Sequence, residues 1–310
     1  MTGRATFWVL LGLMLSLTVI AAAAQPPDPY LDYAGKLYED GDYYRAVTEV
    51  KRFLFLKPED PRRFEAWLLL ARAQAGLGRL DEALAALEPV LKQTEAPALG
   101  AEAALERGRC LERLGSGDEA RLYYQRLIQD PPVADPGLKA DLVNRARYRL
   151  GWLFMEEGGW RSAEEAFRAV EGNHPLGLSA ALLASRVREG ENLPTVSPQA
   201  AGVLSAVLPG AGQLYDRRPV DAALAFGFNA VFLWGAVEAY QKESWVVFGL
   251  LGLIELAWYG GNIYNAVNGA HIRNQELRQE FLKRLHALPG LTLGGRPDSP
   301  AVILTLTFRY

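Results

Sequence analysis

Cysteine is nearly absent from this 310-residue chain: Cys110 is the only one. That excludes an intramolecular disulfide framework and any cysteine-based metal site. Histidine is also scarce. His174, His271 and His286 lie far apart and in no ligand-like spacing, so a histidine metal centre is not expected. Charge of one sign is missing too, with 33 basic and 36 acidic residues. A nearly balanced chain lacks the basic excess that marks nucleic-acid binders, and no nucleic-acid partner is expected. No Ser/His/Asp set and no Gly-Lys-Ser/Thr phosphate loop stands out, so neither an enzyme nor a cofactor is expected. The length is sufficient for two domains.

Long apolar runs are plentiful. The first, "FWVLLGLMLSLTVI" (7–20), follows Arg4 and precedes the small residues "AAAAQ" (21–25). A short positive region, an apolar stretch and an A-x-A site at Ala22 and Ala24 make residues 1–24 an expected secretory signal peptide; an uncleaved anchor is the alternative. Either reading starts residue 25 onward outside the cytoplasm of a bacterial cell. No cysteine follows directly on the run to accept a lipid.

Between residues 29 and 175 four segments share one layout. A small residue recurs at Ala34, Ala71, Gly108 and Gly151. Seven positions later a glycine follows, at Gly41, Gly78, Gly115 and Gly158, and five further on an alanine, at Ala46, Ala83, Ala120 and Ala163. Pro58, Pro132 and Pro175 close three of the four. Small residues let two helices approach closely, glycine tolerates the positive φ that ends the first, and proline stops the second. One such pair cannot bury its own apolar face, so the pairs stack and need a cap, a role that suits 176–190.

This pattern resembles the tetratricopeptide repeat over residues 29–175. The resemblance implies an all-α stack whose first helices line a groove for a peptide or protein segment. Helix-A positions that would line it are Tyr33, Lys36, Arg72, Gln74, Arg109 and Arg113, the arginines pointing to an acidic partner; solvated helix faces are the plain alternative.

A linker (191–198) with two prolines separates the repeat domain (25–190) from an apolar region (199–288). Ser197-Pro198 is a helix start. The segment 199–208 is too short to span a bilayer and reads as an interfacial or re-entrant helix. Then comes "AVLPGAGQLY" (206–215), where Pro209 ends the short helix and Gly210 and Gly212 allow reversal. Gln213 and Tyr215 are expected at the water–membrane interface. Residues 220–240 and 245–265 are two 21-residue apolar runs joined by "QKES". At 1.5 Å per residue each is about 31 Å long, matching a bilayer core.

An antiparallel hairpin centred on 242–243 sets Asn229 beside Glu255, and Asp221 beside Asn262 and Asn265. Polar groups in apolar surroundings need such partners. The motif Pro-Gly-x-Gly-Gln-x-Tyr followed by two apolar helices also resembles bacterial two-span membrane domains of undefined function, over about 200–270. One conflict is visible. With the repeats exported, Arg217, Arg218, Arg273 and Arg278 sit outside and only Lys242 inside, against the positive-inside tendency.

Residues 270–288 read as a separate charged amphipathic helix. In the tail, 289–310, the alternation in "AVILTLTFRY" (301–310) predicts a β-strand that pairs with a neighbour or packs on the domain; its terminal aromatic also resembles the last strand of bacterial outer-membrane barrels, which makes an outer-membrane partner the alternative. These observations together lead to an expectation. The chain is a membrane-anchored scaffold of the bacterial cell envelope with periplasmic repeats. Its hairpin sits in a membrane, the inner one favoured and the outer one possible, and its partners are an envelope protein or peptide and membrane lipid. The alternative is a transport or ion-coupling component using Asp221, Glu238 and Glu255.

Overall fold

The computed structural model describes residues 29–93 and 95–288. The expected signal peptide (1–24) and terminal strand (301–310) lie outside them. All regular structure among the described residues is helical.

Two compact units divide the chain at Leu114/Gly115. The first holds α1 (Pro29–Glu39), α2 (Tyr43–Leu56), α3 (Arg63–Gly76), α4 (Leu80–Lys92) and α5 (Pro97–Arg113). The second holds α6 (Gly117–Gln129), α7 (Pro136–Glu157), α8 (Trp160–Arg168), α9 (Gly177–Arg186), a 3-10 turn (Val187–Asn192), α10 (Pro198–Val207), α11 (Ala211–Tyr215), α12 (Pro219–Gln241) and α13 (Trp245–His286).

The repeated sequence positions have repeated structural duties. Gly41, Gly78, Gly115 and Gly158 all take φ of 77–82°, between the helices of their pairs. Ala46, Ala83, Ala120 and Ala163 are each fully buried. Gly151 lets α7 lie against α8: a Cβ there would stand 2.6 Å from the Phe167 ring. In the first unit the core runs through Ala34, Val50, Phe53, Leu70, Ala71, Leu87 and Val90. Helix starts are locally encoded, as where Asp42 and Asp135 accept from backbone N–H groups three residues on.

The second unit differs from the sequence expectation in one large respect. Residues 245–286 are a single 42-residue helix, not an apolar helix followed by a separate amphipathic one. It is about 63 Å long at 1.5 Å per residue. It runs unbroken through Gly260, Gly261 and Gly269, and α10 and the Asp216–Arg218 turn pack against residues 263–270 of it. The far end, Phe281, Leu282 and Leu285, is buried with Tyr148, Trp152, Phe167, Leu183 and Val187. The cap expected from 176–190 is therefore completed by a helix 100 residues away. The linker is pinned as well: Val196 donates its N–H to Asn274 Oδ1 (2.9 Å), and Asn274 Nδ2 donates back to Val196 O (2.8 Å).

Helices α12 and α13 form an antiparallel pair. Phe228 meets Trp258 (ring centroids 5.1 Å apart), Tyr240 meets Trp245 (5.5 Å), and a Cβ on Gly235 would touch Leu251 (3.3 Å). Both are long and apolar enough to cross a membrane by length and composition. Much of their apolar surface is open: Leu233 is 62% exposed, Val246 77% and Leu256 78%. Soluble monomers rarely expose large apolar patches.

Candidate functional site

The first site is the A-helix face of the first unit. Arg72 on α3 donates from Nε to Glu106 Oε1 (3.0 Å) and from Nη2 to Glu102 Oε2 (2.9 Å) on α5. Arg109 Nη1 reaches the same Glu106 oxygen (3.0 Å). Tyr38 belongs to this cluster, and no sequence signal distinguished it from other helix-face tyrosines. Its phenol is pushed above the ordinary range, first by burial and then by Glu106, with Arg72 and Arg109 opposing. Tyr33, Lys36 and Arg113 are exposed.

Two expectations are corrected here. Arg72 and Arg109 do not offer a bare positive face, because Arg72 pairs with Glu102 and Glu106 and Arg109 pairs with Glu106. Gln74 lies elsewhere. Two helical positions turn the side chain by about 200°, so Gln74 faces away from Arg72. It is buried, and its Nε2 donates to Glu82 Oε2 on α4 (3.0 Å). There it borders a shallow cleft of about 510 Å³ with Lys51, Phe55, Trp67 and Ala85.

The second site is the polar junction built by "PGAGQLY". Gly210 has φ of 92°, and a Cβ there would stand 2.4 Å from Ala222 O. At Gly212 a Cβ would fall 2.1 Å from Ala201 O. These close approaches bring three side chains together. Ser205 Oγ accepts from the Gly212 N–H (3.1 Å) and donates to Gln213 Oε1 (2.9 Å). Gln213 Nε2 donates to Asn262 O (3.0 Å) and Asn262 Oδ1 (2.5 Å). The expectation that Gln213 faces the interface is thus overturned: it is 1% exposed, because its amide satisfies groups that helix packing has removed from water. Tyr215 is partly exposed, and its hydroxyl accepts from the Ser197 N–H (3.2 Å). Pro209 stands just after α10, at the turn.

The hairpin's polar contacts also differ from those expected. Asn229 and Glu255 make no hydrogen bond. Asn229 Nδ2 turns back to Ala225 O on its own helix (2.6 Å), leaving Asn229 Oδ1 and Glu255 Oε2 buried without partners. With Phe228 opposite Trp258, Asn229 stands level with residue 257, two residues past Glu255. Asp221 pairs with Arg218 (2.7 Å) rather than with Asn262 or Asn265. Arg218 Nη1 in turn donates to Asn265 O (3.3 Å). Glu238 pairs with Lys242 (2.7 Å).

Among the described residues no group of three His, Cys, Asp or Glu side chains is placed to hold a metal ion. Cys110 is buried, and burial pushes its thiol up to about 11.

The helical pairs match known sequences and structures in the following ways. A comparison with curated proteins finds no match. Among solved structures, a tetratricopeptide repeat protein from Parabacteroides merdae is 19% identical, with 83% of this chain and 97% of that one covered and a TM-score of 0.37. A Rap protein complexed with competence and sporulation factor is 17% identical, with 76% of this chain and 64% of that one covered and a TM-score of 0.40. A tetratricopeptide repeat family model matches residues 36–94, 68–137 and 148–194. The chain therefore contains tetratricopeptide repeats.

Proposed function

We propose that this protein is a non-enzymatic scaffold of the cell envelope, whose repeats hold a protein or peptide partner beside a membrane that α12 and α13 enter. One observation carries the reading. The 42-residue helix α13 is apolar and exposed at its start and part of the repeat core at its end. Apolar surface of this kind must be covered, and α12, which packs along one side of it, leaves Val246, Leu253 and Leu256 exposed. Two helices of 23 and 42 residues contain the roughly 20 apolar residues that a crossing needs.

The repeats supply the partner-binding half, through the α1, α3 and α5 face at Tyr33, Lys36, Tyr38, Arg72 and Arg109. With Arg72 and Arg109 matched by Glu102 and Glu106, this face favours a partner carrying both charges over a purely acidic one. Export by residues 1–24 places the repeats in the periplasm. Membrane separation on a density gradient tests the reading. Inner-membrane or outer-membrane banding that survives high-salt washing supports it and selects the membrane. Recovery in the soluble fraction overturns it.

A second reading, ion coupling, rests on Glu255, whose Oε2 is buried without a partner in an apolar stretch. Asp221 and Glu238 are already paired with Arg218 and Lys242. If Glu255→Gln abolishes function while membrane banding and partner capture persist, this second reading replaces the first.

A further inference from the structure

We infer that residues 198–216 form a re-entrant element, which enters the bilayer from the side of the repeats, turns within it and leaves on the same side. Its partner is the acyl chains of that leaflet. The inference rests on the hairpin reading above.

The direction of α10 follows from three contacts with α13. Val196 pairs with Asn274, a Cβ on Gly202 would stand 2.8 Å from Val267 and 3.9 Å from Ile263, and the Tyr259 hydroxyl donates to Ala206 O (2.8 Å). Rising numbers on α10 meet falling numbers on α13. The short helix thus runs lengthwise along α13, toward the apolar end, and does not lie across it as an interfacial helix would.

The depth follows from the same ladder. Arg218, at the start of α12, bonds to Asn265 O, whereas Ala206 is level with Tyr259. Six residues of α13 separate the two levels, about 9 Å. If Arg218 marks the polar boundary, the tip at Leu208 lies roughly a third of the way into a hydrocarbon core of about 30 Å. The chain then returns through α11, where Gln213 meets Asn262 and Asp216 O accepts from Arg273 Nη1 (2.9 Å).

Backbone at that depth must be satisfied within the protein. The turn meets much of this demand: Leu208 N–H donates to Leu204 O (2.9 Å), Ala211 N–H to Leu208 O (3.0 Å), Gly212 N–H to Ser205 Oγ, and Leu214 N–H to Gly210 O (3.0 Å). The surface turned outward is apolar, with Val203 63%, Val207 80% and Leu214 61% exposed. No Asp, Glu, Lys or Arg occurs from 198 to 215, and charge resumes at Asp216, Arg217 and Arg218.

Spin labels test this on the full chain in phosphatidylcholine–phosphatidylglycerol vesicles. Single cysteines replace Val207 at the tip, Leu233 in the hairpin and Thr195 before α10, each in a Cys110→Ser background. Collision with oxygen is compared with collision with a water-soluble nickel chelate. The expected result is an oxygen-to-nickel ratio several-fold higher at 207 and 233 than at 195. A water-like ratio at 207 with a lipid-like ratio at 233 overturns the re-entrant element and leaves the hairpin standing. Water-like ratios at both overturn both. Val203→Cys, another outward position, replaces the tip label if Val207→Cys fails to fold.

Discussion

The Trp152 indole and the His286 imidazole lie face to face, with ring centroids 4.2 Å apart and 16° between their planes. Trp152 sits in the middle of a repeat helix, and His286 is the last residue of the helix that begins in the apolar hairpin. Phe281 packs edge-on to Trp160 nearby, and Arg278 Nη1 donates to Glu156 O (2.8 Å). The last repeat and the hairpin thus share one continuous element.

This contact carries a pH dependence. Burial, with Arg149 adding repulsion, lowers the His286 pKa below its usual value, against a hydrogen bond to Leu282 O. A histidine depressed in the folded state stays neutral there while the unfolded chain takes up a proton, so stability is greatest above about pH 6.5 and falls as the pH drops through the folded value. Thermal unfolding of the full chain in detergent should show a lower midpoint at pH 5.5 than at pH 7.5. His286→Phe keeps an aromatic ring against Trp152 and should reduce that difference. An equal pH dependence in both proteins would remove His286 from the account.

Two glycines separate conformational strain from collision. Gly78 has φ of 77° with open space where a Cβ would stand, so Gly78→Ala should cost about 1–2 kcal/mol, the left-handed penalty alone. At Gly210 the same strain joins a Cβ 2.4 Å from Ala222 O. Gly210→Ala should be among the exceptional cases above about 4 kcal/mol, or force the turn open. Hydrogen exchange checks this locally: protection at residues 204–214 should collapse in Gly210→Ala and persist in Gly78→Ala.

The Ser205–Gln213–Asn262 junction should behave as a unit. Gln213→Leu strands the Ser205 hydroxyl and the Asn262 amide away from water, at about 1–3 kcal/mol for each group left unpaired. The pairwise term is smaller. A double-mutant cycle on Gln213→Leu and Asn262→Leu should return about 1 kcal/mol, the usual net worth of a hydrogen bond. Additive losses, read as unfolding midpoints in detergent, would mean that the two amides do not act together.

The repeats were legible because their signal is local and repeated. Glycines at one phase of four units become four positive-φ turns, and alanines at another become four buried contacts. The junction was not legible, because Gln213 finds its partner 49 residues away. A glutamine beside a tyrosine and two glycines gives the same local pattern whether it faces water or another helix. The completed cap hid for the same reason: "EFLKRLHAL" reads as a surface amphipathic helix until Phe281 and Leu285 are seen against Trp152 and Trp160. The two-residue difference between Arg72 and Gln74, by contrast, was readable from helical geometry alone and marks opposite faces of α3.

That difference sets a last expectation. The sequence suggested that Arg72 and Arg109 draw acidic partners, and that reversing their charge weakens binding. Their sharing of Glu106, itself mostly buried at 13% side-chain exposure, points to the opposite intervention. Glu106→Gln removes the negative charge common to both guanidiniums and leaves an amide oxygen that can still accept from them. Glu106 is mostly buried and its arginines are about a quarter exposed, so the loss should cost more than the roughly 1 kcal/mol of a surface pair, and circular dichroism at the assay temperature checks that the variant remains folded. With one negative charge fewer on the face, a fluorescent glutamate-rich peptide should bind more tightly to Glu106→Gln than to the native chain, and the gain should shrink as salt is raised. Fluorescence anisotropy in low and high salt reads this directly. Equal affinities at low salt would mean that this face does not meet the peptide, and the partner-binding surface would have to be sought instead at the cleft bordered by Gln74, Trp67 and Phe55.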